Sequence, residues 1–118
     1  MACNLSTTQP TPLPTPDLPR TEILAPANNA RVVEGTEFEF DVVGRDDTLG
    51  IAKLELRIDE TTVHEVMPTE GGAVPVFRAT MNWLAAGVGL HVVEAVAYRP
   101  DGTTGDAALI NIEVVPAQ

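Results

Sequence analysis

Cysteine is nearly absent: Cys3 stands alone, so no internal disulfide can form and any core must hold by packing. Serine is as scarce, with only Ser6, and both residues lie in the first few positions. No threonine has a histidine or lysine beside it in a nucleophile motif, which excludes a triad hydrolase. The two histidines, His64 and His91, have no paired spacing with other soft ligands, so a zinc site is not expected. Basic residues are few, seven Lys and Arg against seventeen Asp and Glu. The net charge of -10 argues against nucleic acid, because scattered single cations cannot track a phosphate backbone. No run approaches the ~18 to 20 apolar residues of a membrane-spanning helix, and the chain as given opens with no signal-like segment. One Trp, one Tyr and three Phe are too few rings for a broad sugar-stacking platform. Helical periodicity is missing throughout.

What is present is alternation. Residues 36–44 set Phe38, Phe40 and Val42 against Glu37, Glu39 and Asp41, and residues 52–59 set Ala52, Leu54, Leu56 and Ile58 against Lys53, Glu55, Arg57 and Asp59. Phe77, Ala79, Met81 and Trp83 share one face of a strand within 74–83, and Ala108, Ile110, Ile112 and Val114 share one face of the last strand, 107–115. The stretch 89–101 is the centre: His91, Val93, Ala95 and Ala97 point one way, and Val92, Glu94, Val96 and Tyr98 the other. Neither face is wholly polar, as suits a middle strand. Short strands at 21–25, 31–33 and 62–67 complete the set, and Pro26, Gly35, Gly50, Gly71-Gly72 and Asp101-Gly102 punctuate it. About seven antiparallel strands over roughly 100 residues predict an all-β sandwich, with the last two strands paired as a hairpin.

Residues 1–20 differ in texture, holding five of the ten prolines and several threonines. That composition predicts a disordered, semi-rigid tether ahead of a single domain over 21–118.

Three blocks, APANNARVVEG (25–35), DDTLGIAKLELRIDE (46–60) and GLHVVEAVAYRPDGTTG (89–105), resemble those of bacterial immunoglobulin-like (Big-type) domains of secreted and cell-surface proteins, over roughly 22–115. Pro26, Gly50-Ile51, Trp83, Gly89-Leu90-His91 and Asp101-Gly102 fit the pattern, while Glu60 stands where a turn glycine is usual. The resemblance implies an immunoglobulin-like β-sandwich and a non-enzymatic spacer, adhesive or accessory module, and carries over no functional site. The Ala2-Cys3 step ahead of a Thr- and Pro-rich tether is similar to the start of a mature bacterial lipoprotein, which implies lipidation of Cys3 and a cell-envelope location. Membrane contact would then run only through that anchor, and the implied partner is another envelope protein.

Two surfaces merit a site reading. Asp46 and Asp47 in one loop and Asp101 in another fall at the same end of such a sandwich, an oxygen-rich arrangement suited to calcium, although turn aspartates commonly serve only their own backbone. Val92, Val96, Tyr98 and Leu109 should form an apolar stripe on the outer side of the central sheet, a candidate partner face between Lys53, Glu55, Arg57 and Glu94. His91 sits inward, where a hydrogen-bonded core histidine is the ordinary occupant. The sequence thus predicts no catalytic residues and no required cofactor. The leading function is a lipid-anchored surface module acting as spacer or protein-binding domain; the competing class is a glycan- or calcium-binding accessory.

Overall fold

The computed structural model describes residues 17–69 and 72–117. Eight strands follow one another: β1 (Arg20–Ala25), β2 (Ala30–Val33), β3 (Glu37–Arg45), β4 (Lys53–Ile58), β5 (Thr61–Val66), β6 (Val76–Leu84), β7 (Gly89–Tyr98) and β8 (Ala108–Val115). They form two packed sheets, β1-β3-β6 and β2-β8-β7-β4-β5, so the expected immunoglobulin-like β-sandwich is the fold. β7 lies in the middle of the larger sheet, between β8 and β4, as its two-sided pattern predicts.

Two details differ from the sequence expectation. The two short strands on either side of Pro26 join opposite sheets, and the strands number eight where about seven were expected. Nor is the sandwich wholly antiparallel, because β2 runs parallel to β8 from Ala30↔Ile112 to Val33↔Val115. The Asn-rich loop makes that switch possible: the Asn29 amide donates to the Asn111 carbonyl and Asn28 Oδ1 accepts from the Asn111 amide, both at 2.7 Å. The loop amide and the side chain thereby continue the ladder where the strand itself is interrupted.

The alternating faces turn inward as read. Phe40, Val42, Leu54, Leu56, Met81, Val93, Ala95, Ala97, Ile112 and Val114 are buried, with Phe38, Phe77 and Trp83 packed against them. A buried Val, Leu, Ile or Phe contributes about 1.5–3 kcal/mol. Two such side chains therefore match a disulfide's ~2–4 kcal/mol, and the core does not need the bridge that a lone cysteine rules out. Gly44 sits where a Cβ would lie 2.9 Å from both Ala97 Cβ and Leu54 Cδ2, so the close approach of β3 to the facing sheet requires glycine.

Residues 1–16, including Cys3, lie outside the described residues. The folded domain extends ahead of residue 21: Arg20 already opens β1, and Asp17 is bonded to Thr48 and Arg99.

Candidate functional site

Polar side chains of the described residues gather in three clusters, two of them around the buried Asp46–Arg99 pair and the buried Glu55, and each joins residues distant in sequence. At the pole where β1 begins, the β3–β4 loop folds Asp46 under the end of β7. Arg99 donates to it from Nε at 2.7 Å and Nη2 at 2.9 Å, and the amides of Leu49 and Gly50 donate at 3.2 Å. The Asp46 side chain is only 2% exposed. The Arg99 guanidinium, helped by the loop amides, outweighs burial and holds its carboxyl at about 2. The cluster extends to Asp17, which takes Arg99 Nη2 at 3.0 Å and the Thr48 hydroxyl at 2.7 Å.

The second cluster lies on the outer face of the larger sheet. Burial would raise the Glu55 carboxyl, but hydrogen bonds from Arg57, Thr62 and Tyr98 together outweigh it and hold the group at about 2. Arg57 also donates to the Tyr98 hydroxyl at 3.2 Å, and Lys53 Nζ stands 4.3 Å above the Tyr98 ring. Glu55 raises the Tyr98 hydroxyl above its ordinary value, keeping it a donor.

The third cluster closes the β4–β5 hairpin. Asp59 and Glu60 have φ of 52° and 72°, a type I′ pair made without the glycine its second position favours. Asp59 is held from β7 by its own amide on the Val92 carbonyl (2.8 Å) and by the Val92 amide on its Oδ1 (3.0 Å). His91 Nδ1 is 2.5 Å from Asp59 Oδ2, while its Nε2 is 2.5 Å from the Gly87 carbonyl. Both ring nitrogens face acceptors, which only the doubly protonated imidazole satisfies. The Gly87 carbonyl and the Asp59 carboxylate accordingly raise the His91 pKa. Trp83 meets the His91 ring edge-on at 5.6 Å and packs against the core.

These placements locate the residues singled out from sequence. Asp46 and the turn of Asp101 do share a pole, joined through Arg99. Asp46 is engaged by that arginine and two loop amides, and Asp101 Oδ1 accepts from the Thr103 amide at 2.9 Å. Asp47 is exposed beside them. Among the described residues, no three His, Cys, Asp or Glu side chains converge in a metal-ligand set.

The apolar stripe is broken and displaced. Val92 and Leu109 are exposed, at 45% and 61%, but Val96 is only 5% exposed, and Tyr98 is half-buried in the Glu55 cluster. Val96 lies opposite Glu55, beside that polar network. Exposure moves instead toward the other end of the face, to Leu90 at 74% and Val33 at 44%. Sequence reading missed this because alternation assigns a face, whereas who covers that face depends on residues paired across strands. The one available signal was Glu55 and Tyr98 lying at like-facing positions of neighbouring strands.

Neither the family models nor the curated proteins compared with it match this sequence. Solved structures do resemble it. The fibronectin(III)-like modules of Clostridium thermocellum CbhA superpose with a TM-score of 0.70 at 17% identity, over 84% of this chain and all of that one. A CARDB domain from Pyrococcus furiosus, solved in complex with di-metal ions, gives a TM-score of 0.60 at 18% identity over 88% of this chain and all of its own. The SrpA adhesin of Streptococcus sanguinis gives 0.57 at 15% identity, over 86% of this chain and 58% of the adhesin. At such identities the likeness is one of fold: this is an immunoglobulin- and fibronectin-III-like β-sandwich.

Proposed function

We propose that this chain is a non-enzymatic, bacterial immunoglobulin-like module of the cell surface or envelope, a spacer or protein-binding domain held to the membrane by lipid on Cys3. The observation that carries the spacer reading is the path of the chain. It enters at the pole formed by Asp17–Arg20 and the Arg45 end of β3, and leaves beyond Val115 at the opposite pole, beside Gly89 and Glu34. The eight residues of β8 separate the two by ~25 Å. Opposite entry and exit let such a module extend a chain, whereas adjacent termini would fold it back.

The polar chemistry supports a non-catalytic role. Asp46, Glu55 and Arg99 are the buried polar groups among the described residues, and each is bonded to protein partners. A general acid or base needs a group poised near neutrality, and both these carboxyls sit at about 2. The test is the intact mass of native protein from membrane and soluble fractions. A diacylglycerol-modified Cys3 in the membrane fraction is expected. An unmodified chain starting at Met1 in the soluble fraction would overturn the anchored reading.

A further inference from the structure

The outer face of β2-β8-β7 carries an apolar band that no part of the described domain covers. Leu90 and Val92 follow one another on the outer side of β7, Leu109 lies diagonal to Val92 on β8, and Val33 sits beside Val115 at the sheet edge. Their exposures of 74%, 45%, 61% and 44% are those of a surface. Single exposed apolar residues need no explanation, but a group of them on one face does, here interleaved with Glu94, Asn111 and Glu113, which pair with Leu109, Val92 and Leu90. A shallow hollow of about 390 Å³ opens at this band, with Val92 and Leu109 as apolar walls and Asp59, Glu60 and Glu94 as its acidic rim.

Charge decides what fits. The Asp59 carboxylate is occupied by His91 and the Val92 amide, and Arg57, the cross-strand neighbour of Glu94, is drawn away to Glu55 and Tyr98. Glu60 and Glu94 therefore bond to no cation among the described residues. A second copy laid on this face would add its own Glu60 and Glu94 to the same interface in a chain of net charge -10, and an anionic bilayer would meet the same repulsion. A lysine or arginine suits it instead: the aliphatic stem covers Val92 and Leu109 while the cation reaches the carboxylates.

The geometry points to a docking face for a protein segment that alternates apolar and basic side chains, centred on Val92 and Leu109 with Glu60 and Glu94 as charge partners. This deepens the protein-binding form of the proposed module and rests on that reading. The test titrates isotope-labelled full chain with acetyl-Leu-Lys-Val-Lys-Leu-amide and, as control, the same peptide with glutamate for lysine, following backbone amide resonances. The lysine peptide is expected to shift the amides of residues 60, 92, 94 and 109 saturably, and the glutamate peptide to shift none. The exposed-site variants V92S/L109S and E60Q/E94Q should each weaken binding at least fivefold, the second losing the salt dependence of the first. A flat titration, binding by either variant as tight as the wild type's, or a wild-type dimer in sedimentation that V92S/L109S dissociates would overturn the assignment. The mass of the Cys3 end is independent of all three, so failure here leaves the anchored module standing.

Discussion

Arg99 closes on Asp46 through two parallel bonds, Nε to Oδ2 at 2.7 Å and Nη2 to Oδ1 at 2.9 Å, across 53 residues of sequence. The pair ties the β3–β4 loop to the end of β7, and Asp17 on the same guanidinium draws in the chain ahead of β1. The substitution Asp46→Asn keeps the shape but turns an amide toward donors. It should cost about 2 kcal/mol, since a charge-assisted bond is lost and buried donors are left unsatisfied. Urea unfolding at pH 7 checks this as a lower midpoint at unchanged slope; an unchanged midpoint would show that the pair is dispensable.

Tyr98 gives a second handle. Its hydroxyl donates to Glu55 and accepts from Arg57, so Tyr98→Phe removes a bond that favours the ionised carboxylate. Glu55 is held at about 2, below its ordinary value of 4.5. A depressed folded pKa means that the stability is present above the unfolded value and is lost as pH falls through the folded one. The wild type should therefore lose stability between about pH 5 and 2, with Asp46 adding to the same limb. The variant should be about 1 kcal/mol less stable at pH 7, and the gap should narrow toward pH 2. A gap that stays constant with pH would mean that the hydroxyl does not sense the Glu55 charge.

Glu60 is strained where glycine would not be. With φ of 72° at the second position of a type I′ turn, a Cβ is unfavourable, and no bond of the Glu60 side chain among the described residues offsets it. The substitution Glu60→Gly should raise stability by about 1 kcal/mol, seen as a higher melting temperature with the hairpin amide shifts otherwise retained. A lower melting temperature would show that the turn relies on glutamate.

The contrast among these sites shows what the sequence could convey. The inward faces of β3, β4, β6, β7 and β8 were legible because period-two alternation needs no knowledge of neighbours. The parallel β2–β8 pair was not, since a four-residue strand carries no mark of its direction, and the Asn28–Asn111 bond that fixes it spans 83 residues. Asp46 was visible as an acid in a loop, but its occupation by Arg99 was hidden. Arg99, near the end of the central stretch, carries no mark in the sequence that pairs it with a loop acid 53 residues earlier. Val96 shows the same limit from the apolar side, because it is buried beside a polar network assembled on three strands.

His91 yields the last expectation, and its sign is opposite to that of the acids. With the Gly87 carbonyl and Asp59 raising its pKa above the ordinary 6.5, its contribution is fully present below the unfolded value and is lost as pH rises through the folded one. The substitution His91→Asn removes both ring bonds and the edge contact with Trp83, and should cost about 2 kcal/mol at pH 6, where the charged ring makes both. Between pH 6 and 9 the difference between wild type and variant should shrink, because the wild-type ring gives up a proton and one of its two acceptors is left facing a lone pair. Stability curves of the two proteins across that range make the comparison, and Trp83 fluorescence reports the same titration from inside the domain. A difference that does not change with pH would mean that His91 acts through packing alone, and the hairpin would then owe its geometry to the two Asp59–Val92 bonds, one between backbones and one from the Val92 amide to the Asp59 carboxylate.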